Sequence, residues 1–181
     1  MEYIKSFFNI TSKVKTHETA HTHILITYGS ETGCAKGIAE YIYENYIQVF
    51  VKDIYPLNDI EILSLTKYDI VIILLSTTGD GEFPTNANKF WRKIRKYKDD
   101  LPIKYILCGF GSYDYKSFCH SSKCLERKLK KLGACELMDS TFINNEDDED
   151  IKEFIDDMQK CCDYIINTKQ KSFVDSITTY A

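Results

Sequence analysis

Between Asp69 and Leu75 the sequence reads DIVIILL, apolar at every position from Ile70 onward. Such a run falls far short of the roughly 20 residues that cross a bilayer, and it is too short for a buried helix of ordinary length. It reads instead as a strand buried on both faces, which belongs inside a parallel sheet with helices packed on each side. The remaining sequence alternates accordingly. Strand-like runs at 23–28, 48–54, 104–109 and 134–143 are separated by helical patterns at 34–46, 57–65, 85–97, 117–132 and 151–167. Five strands alternating with five helices predict an α/β fold, an open and doubly wound five-stranded parallel sheet flanked by helices. Ligands of such sheets collect beyond the carboxyl ends of the strands.

With 181 residues the chain has the size of one domain. Residues 1–22 are expected to form a leading arm with a short helix at 3–8, and residues 168–181 a polar tail or linker, leaving 23–167 as the folded unit. A net charge of −4 gives no electrostatic basis for nucleic-acid binding. The N-terminus lacks an apolar signal core and an Arg-rich transit pattern, and no run is long enough to span a membrane. Seven cysteines without a CxxC pair point to a reduced, intracellular protein. A cytoplasmic location is therefore expected.

Three loops follow strand-like runs and carry the polar chemistry. The first, GSETGCA at 29–35, runs from a strand into a helix, where backbone N–H groups and the helix dipole face outward. It lacks the lysine of a triphosphate-binding loop. A monophosphate held by neutral donors fits it, and so does a capped turn that binds nothing. Glu31 carries the wrong charge for an anion site, so its side chain is expected to point away. The second loop, STTGDGEFP at 76–84, has two glycines that allow backbone conformations other residues resist. The third, GFGSYDYKSF at 109–118, places aromatic rings where a planar ligand can stack. Together the loops supply a phosphate cradle, a flexible polar edge and an aromatic wall. A phosphoacceptor receiver domain is disfavoured, because Ser76 and Thr77 stand where an acceptor Asp is needed.

The segments GSETGCAKGIAE, STTGDGEFPTNANKFWRKI and GFGSYDYKSF, the last followed by LERKLKKLGA, resemble the FMN-binding, flavodoxin-like domain of the diflavin reductases over about residues 23–167. The TTG of the second loop and the FW of the next helix look most like the NADPH-dependent diflavin reductase of cytosolic iron-sulfur protein assembly. The resemblance places Ser30, Glu31, Thr32, Gly33, Cys34 and Ala35 around the FMN phosphate. Ser76, Thr77, Thr78 and Gly79 fall beside the isoalloxazine ring. Phe110, Gly111, Ser112, Tyr113, Asp114, Tyr115, Lys116, Ser117, Phe118 and Cys119 fall on its other side, with Tyr115 as the stacking ring. An acidic position at the flavin edge corresponds to Glu146, within about one residue. The sequence departs from the family at Thr78, where some members have a second stacking aromatic, and at Ser112, where Asp or Asn is common.

This resemblance implies an FMN-binding one-electron transfer domain. Its donor is an FAD/NADPH reductase domain or protein, and its acceptor a protein, with an iron-sulfur assembly factor as one implied acceptor. Neither nucleic acid nor membrane is expected as a partner. The peptide near Gly79 and Asp80 is expected to turn toward flavin N5, while Asp80, Glu82 and Glu146 disfavour an anionic reduced flavin by repulsion. No side chain is required as acid, base or nucleophile, and without an FAD domain this chain alone is not expected to oxidise NADPH. Two alternatives stand beside this reading: a flavin-free interaction module, and an FMN-dependent quinone reductase. The remaining candidates read as structural. These are the cysteines outside the loops, the histidines His17, His21, His23 and His120, and the basic stripe from Lys89 to Lys98. Cys34 is read either as mildly acidified by its helix terminus or as packed beside the phosphate.

Overall fold

The computed structural model describes residues 22–46, 51–145 and 147–178. In chain order the elements are β1 (His23–Gly29), α1 (Cys34–Asn45), β2 (Val51–Pro56), β3 (Ile70–Ser76), α2 (Thr85–Ile94), β4 (Lys104–Gly111), α3 (His120–Lys131), β5 (Cys135–Glu136), β6 (Thr141–Asn144) and α4 (Asp148–Thr178). All strand pairs are parallel, in the order β2-β1-β3-β4-β5, and β6 also pairs with β4. The chain leaves β1 for β2 on one side and crosses back to β3 on the other. Between β1 and β3 the winding therefore reverses, and their carboxyl ends open a crevice.

All seven residues of β3 are buried. Side chains alternate across a strand, so Ile70, Ile72 and Leu74 meet Ala35, Ala39, Ile42, Phe154 and Met158 of α1 and α4. On the opposite face Val71, Ile73 and Leu75 meet Ala87, Phe90, Leu125 and Leu129 of α2 and α3. Each such side chain contributes about 1.5–3 kcal/mol on burial. Among the described residues no helix is long and apolar enough to cross a membrane.

Several boundaries differ from the sequence expectation. The segment 134–143 is an edge strand interrupted in the middle, which makes the sheet six-stranded. The Glu136 carboxylate accepts the backbone N–H of Ser140 at 3.1 Å and also its hydroxyl, and this draws the intervening residues off the edge. The helix expected at 57–65 is two 3₁₀ turns, Leu57–Asp59 and Ile62–Lys67, separated by extended backbone at Ile60 and Glu61. Asn58 in the first turn bridges to α2, accepting Phe90 N–H at 3.1 Å and donating to Thr85 O at 2.8 Å. The third helix starts at His120 rather than 117, because Cys119 has φ 51° and cannot continue a helix backward. The last helix runs to Thr178 instead of 167, since no Gly or Pro interrupts 148–178. Residues 1–21, with the short helix expected there, lie outside the described residues, as do 47–50 at the start of the second expected strand.

Tyr105 is fully buried in β4, its hydroxyl lacks a hydrogen-bond partner among the described residues, and burial pushes its ionisation well above the ordinary phenol range. A buried donor left unmade is costly, whereas an apolar group of the same shape is not. Tyr105→Phe is therefore expected to leave stability unchanged or to raise it by up to about 1 kcal/mol. The urea unfolding midpoint measures this, and a clear loss of stability would show that the hydroxyl is satisfied in solution.

Candidate functional site

At the carboxyl ends of β1, β3 and β4 lies a crevice of about 200 Å³. Its walls are Glu31 and Thr32 from the first loop, Ser76 to Gly79 from the second, and Gly111, Ser112, Tyr115 and Ser117 from the third, with Asn145 after β6. All three loops thus meet at one opening.

The first loop ends at α1, which begins without any side-chain cap. Ser30 Oγ accepts the N–H of Gly33 at 3.1 Å, and the first helical bond runs from Gly37 N–H to Gly33 O. Among the described residues nothing accepts from the N–H groups of Thr32, Cys34, Ala35 and Lys36. Orphan donors at a helix start, backed by the helix dipole, form an anion cradle. Glu31 does not compete for it. Its carboxylate turns to the start of α2, accepting Thr85 N–H at 2.7 Å and the Thr85 hydroxyl at 3.0 Å. A second anchor joins the same elements, because Asn86 Oδ1 accepts Ser30 N–H at 2.8 Å.

The second loop is a tight hairpin. Thr78 and Glu82 pair as an isolated antiparallel bridge, and the turn between them needs positive φ at Gly79 (52°) and Gly81 (112°). Both Gly81 and Glu82 donate N–H to Thr78 O, at 3.1 and 2.8 Å. The peptide joining Gly79 to Asp80 is held only by Asp80 N–H donating to Glu82 Oε2 at 3.1 Å, and the Gly79 carbonyl has no partner among the described residues.

Below this hairpin the loop is fixed by hydroxyls. Ser121 N–H donates to Thr77 Oγ1 at 3.2 Å, Ser121 Oγ–H donates to Ser76 O at 3.0 Å, and Ser122 Oγ–H donates to Leu75 O at 2.7 Å. With its own proton committed, Ser121 Oγ accepts at 2.6 Å from Thr77 Oγ1. Thr77 therefore lines the crevice with its hydroxyl committed to α3. Ser76 differs: the residue lines the crevice, and its buried Oγ has no hydrogen-bond partner among the described residues. A buried hydroxyl without a partner is rare in a folded protein and marks a place for a polar ligand atom.

In the third loop Ser112 Oγ accepts Asp114 N–H at 3.2 Å, so this serine provides the turn acceptor that an Asp or Asn would provide. Gly111 cannot carry a side chain, since a Cβ there would sit 2.8 Å from the backbone nitrogen of Cys119. Tyr115 lines the crevice and is 60% exposed. Tyr113 instead stacks on Phe118 with centroids 4.3 Å apart, and Lys123 Nζ sits over the Phe118 ring.

Not every sequence-predicted site residue reaches the crevice. Ala35 and Phe110 are fully buried in the core, and Cys119 packs beneath Gly111 with its thiol pushed up to about 12 by burial. Burial also raises Cys34, so the helix terminus does not acidify it. Gly33, Tyr113, Asp114, Lys116 and Phe118 shape their loops without lining the opening, and Ser30 of the first loop is itself buried. Glu146 lies outside the described residues. Its neighbour Asn145, which sequence reasoning did not name, lines the crevice and donates its N–H to Gly111 O at 2.8 Å.

The sequence matches the flavodoxin family over residues 26–157. The chain belongs to the flavodoxin family. Among solved structures, a flavodoxin from Streptococcus pneumonia TIGR4 superimposes with TM-score 0.65 at 22% identity, covering 75% of this chain and 94% of its own. Oxidised Flavodoxin 1 from Bacillus cereus gives 0.61 at 20% identity, covering 75% and 93%. Curated relatives include the NADPH-dependent diflavin oxidoreductase 1 of Schizosaccharomyces pombe, 35% identical over 63% of this chain and 20% of its own length. The mitochondrial pyruvate dehydrogenase [NADP(+)] of Euglena gracilis is 32% identical over 71% of this chain and 7% of its own. Human methionine synthase reductase is 31% identical over 64% and 18%. The chain thus spans a fifth or less of the length of these relatives.

FMN is the cofactor of this flavodoxin site, and the residues present fit it. The uncapped start of α1 offers neutral donors for a phosphate, Ser76 Oγ is an unused polar group in the wall, and Tyr115 offers an aromatic face. Ser76→Ala removes a hydroxyl that gains nothing in the empty protein. FMN affinity is expected to fall about 3- to 10-fold, the worth of one hydrogen bond, while the unfolding midpoint of the flavin-free protein stays level or rises. Fluorescence titration and urea unfolding read the two effects separately, and a drop in midpoint without a drop in affinity would contradict the assignment.

Proposed function

We propose that this flavodoxin domain is a one-electron carrier. It takes electrons from an FAD/NADPH reductase domain or protein and passes them to a protein acceptor in the cytoplasm. The observation that carries this reading is the crevice itself, lined by Ser, Thr and Gly residues with Asn145, Glu31 and the exposed ring of Tyr115. The carboxylate of Glu31 is engaged at α2, and among the described residues lining the crevice there is no other carboxylate and no His, Cys or Lys. Such a site binds and tunes a redox cofactor rather than transforming a small substrate. When bound, FMN supplies an isoalloxazine that exchanges one or two electrons.

The chain's own residues account for holding and tuning. Thr32 and the free amides of α1 hold the phosphate end, and Tyr115 shields one face of the ring from water. At the hairpin, Gly79 and Gly81 give the Gly79–Asp80 peptide freedom to present its carbonyl, and Glu82 sets its resting orientation through Asp80 N–H. Asp80 and Glu82 add negative charge beside the crevice, which opposes further charge build-up there. Thr78 adds no ring to the second wall, so one face of the cofactor is less covered than the other.

The names of the relatives support a reductase donor and a protein acceptor. An iron-sulfur assembly factor is our preferred acceptor, on the likeness of the second loop to that branch of the diflavin reductases. The acidic residues that open α4 have a local explanation. Asp147 Oδ1 accepts Asp150 N–H at 3.1 Å, and Asp148, Glu149 and Asp150 complement the dipole of α4.

Anaerobic reductive titration of the FMN-loaded protein tests the reading. Two resolved one-electron steps are expected, together with no oxidation of NADPH unless a reductase is added. A single two-electron step, or NADPH turnover by the domain alone with a quinone, would favour a quinone reductase instead. A protein that FMN cannot reconstitute would favour an interaction module.

A further inference from the structure

Helix α3 carries a group of side chains that the flavin site leaves unused. Its spacing places His120, Cys124 and Arg127 on one face, four and three residues apart. Cys124 Sγ lies 3.3 Å from His120 Nε2, and Arg127 Nη2 donates to the same sulfur at 3.2 Å. The guanidinium is held in place by Arg127 Nε donating to Lys123 O at 3.2 Å. The Cys124–His120 hydrogen bond runs from thiol to ring in the imidazole tautomer that carries its proton on Nδ1, and in that tautomer Nε2 is a base facing the thiol.

The other thiols lack this setting. Burial pushes up Cys34, Cys108, Cys119, Cys161 and Cys162. Cys135 is exposed but donates only to the Glu136 carbonyl, and among the described residues no cation reaches its sulfur. Cys124 is half-buried, so it keeps a path to solvent. An accessible sulfur with a base at one side and a fixed cation at the other is the environment of a reactive cysteine.

We propose that Cys124 is a modification site, the thiol of this chain that exchanges with small disulfides such as oxidised glutathione. The Cys124 S–H proton passes to His120 Nε2, and Arg127 stabilises the thiolate. The thiolate attacks one sulfur of the disulfide. A new S–S bond joins Cys124 to that half, the original S–S bond breaks, and the departing thiolate takes the proton from His120. Cys124 is oxidised and the small disulfide is reduced to one thiol and one mixed-disulfide half. The site abuts the flavin hairpin, because a Cβ at Gly81 would sit 3.2 Å from His120 Cδ2 and 3.3 Å from His120 Cβ. The proposal stands on α3 alone and does not require bound FMN.

The test is a time course of the full chain with oxidised glutathione, followed by peptide mass spectrometry without reduction. The Cys124 peptide is expected to gain glutathione about tenfold faster than the Cys135 peptide, the exposed internal control. His120→Ala and Arg127→Ala are each expected to slow Cys124 severalfold and to leave Cys135 unchanged. Both side chains lie on the exposed face of α3, so two independent variants report on the same sulfur. Equal rates at Cys124 and Cys135, or a Cys124 rate indifferent to both substitutions, would overturn the proposal.

Discussion

The burial of β3 on both faces is the constraint from which the remaining architecture follows. Seven consecutive buried residues need a helix layer above and another below the sheet. Alternating right-handed crossovers provide both layers and keep every strand parallel. Parallel strands in turn deliver their carboxyl-end loops to one edge. The first, second and third loops come together because β1, β3 and β4 are neighbours, with the reversal of winding between β1 and β3.

The site combines a fixed floor with an adjustable rim. The floor is the hydroxyl chain from Ser121 and Ser122 to the end of β3, with Thr77 N–H donating to Phe110 O at 2.8 Å across to β4. Above it, the hairpin from Thr78 to Glu82 leaves one peptide tied to a single exposed carboxylate. That division suits a cofactor whose binding requires rigidity and whose reduction changes hydrogen-bond demand at one edge. Charge is arranged to the same end, with the Glu31 carboxylate diverted to α2 and the free amides of α1 left to face an anion.

Most of the fold was legible in the sequence because it depends on apolar periodicity and on loops placed between periodic segments. DIVIILL identified the central strand, and GSETG, TTGDG and GFGSYDY marked the three loops that the structure assembles. What periodicity missed was set by individual polar contacts. Glu136 capturing Ser140 splits an edge strand, Asn58 replaces a helix with two turns, and Cys119 delays the start of α3. Within the site, a motif identifies a loop but not which atoms face inward. Thr77 was expected at the flavin, yet its hydroxyl is spent on Ser121, while Asn145 reaches the crevice through a backbone bond to Gly111 that no motif encodes.

The central claim is that the crevice recognises the phosphate of a flavin nucleotide with uncharged donors at the start of α1. Parallel fluorescence titrations of the flavin-free protein with FMN and with riboflavin, which lacks only the phosphate, address it most directly. The account expects one FMN per chain and affinity for FMN at least about tenfold above that for riboflavin. Equal affinity for the two, or no binding of either, would contradict it.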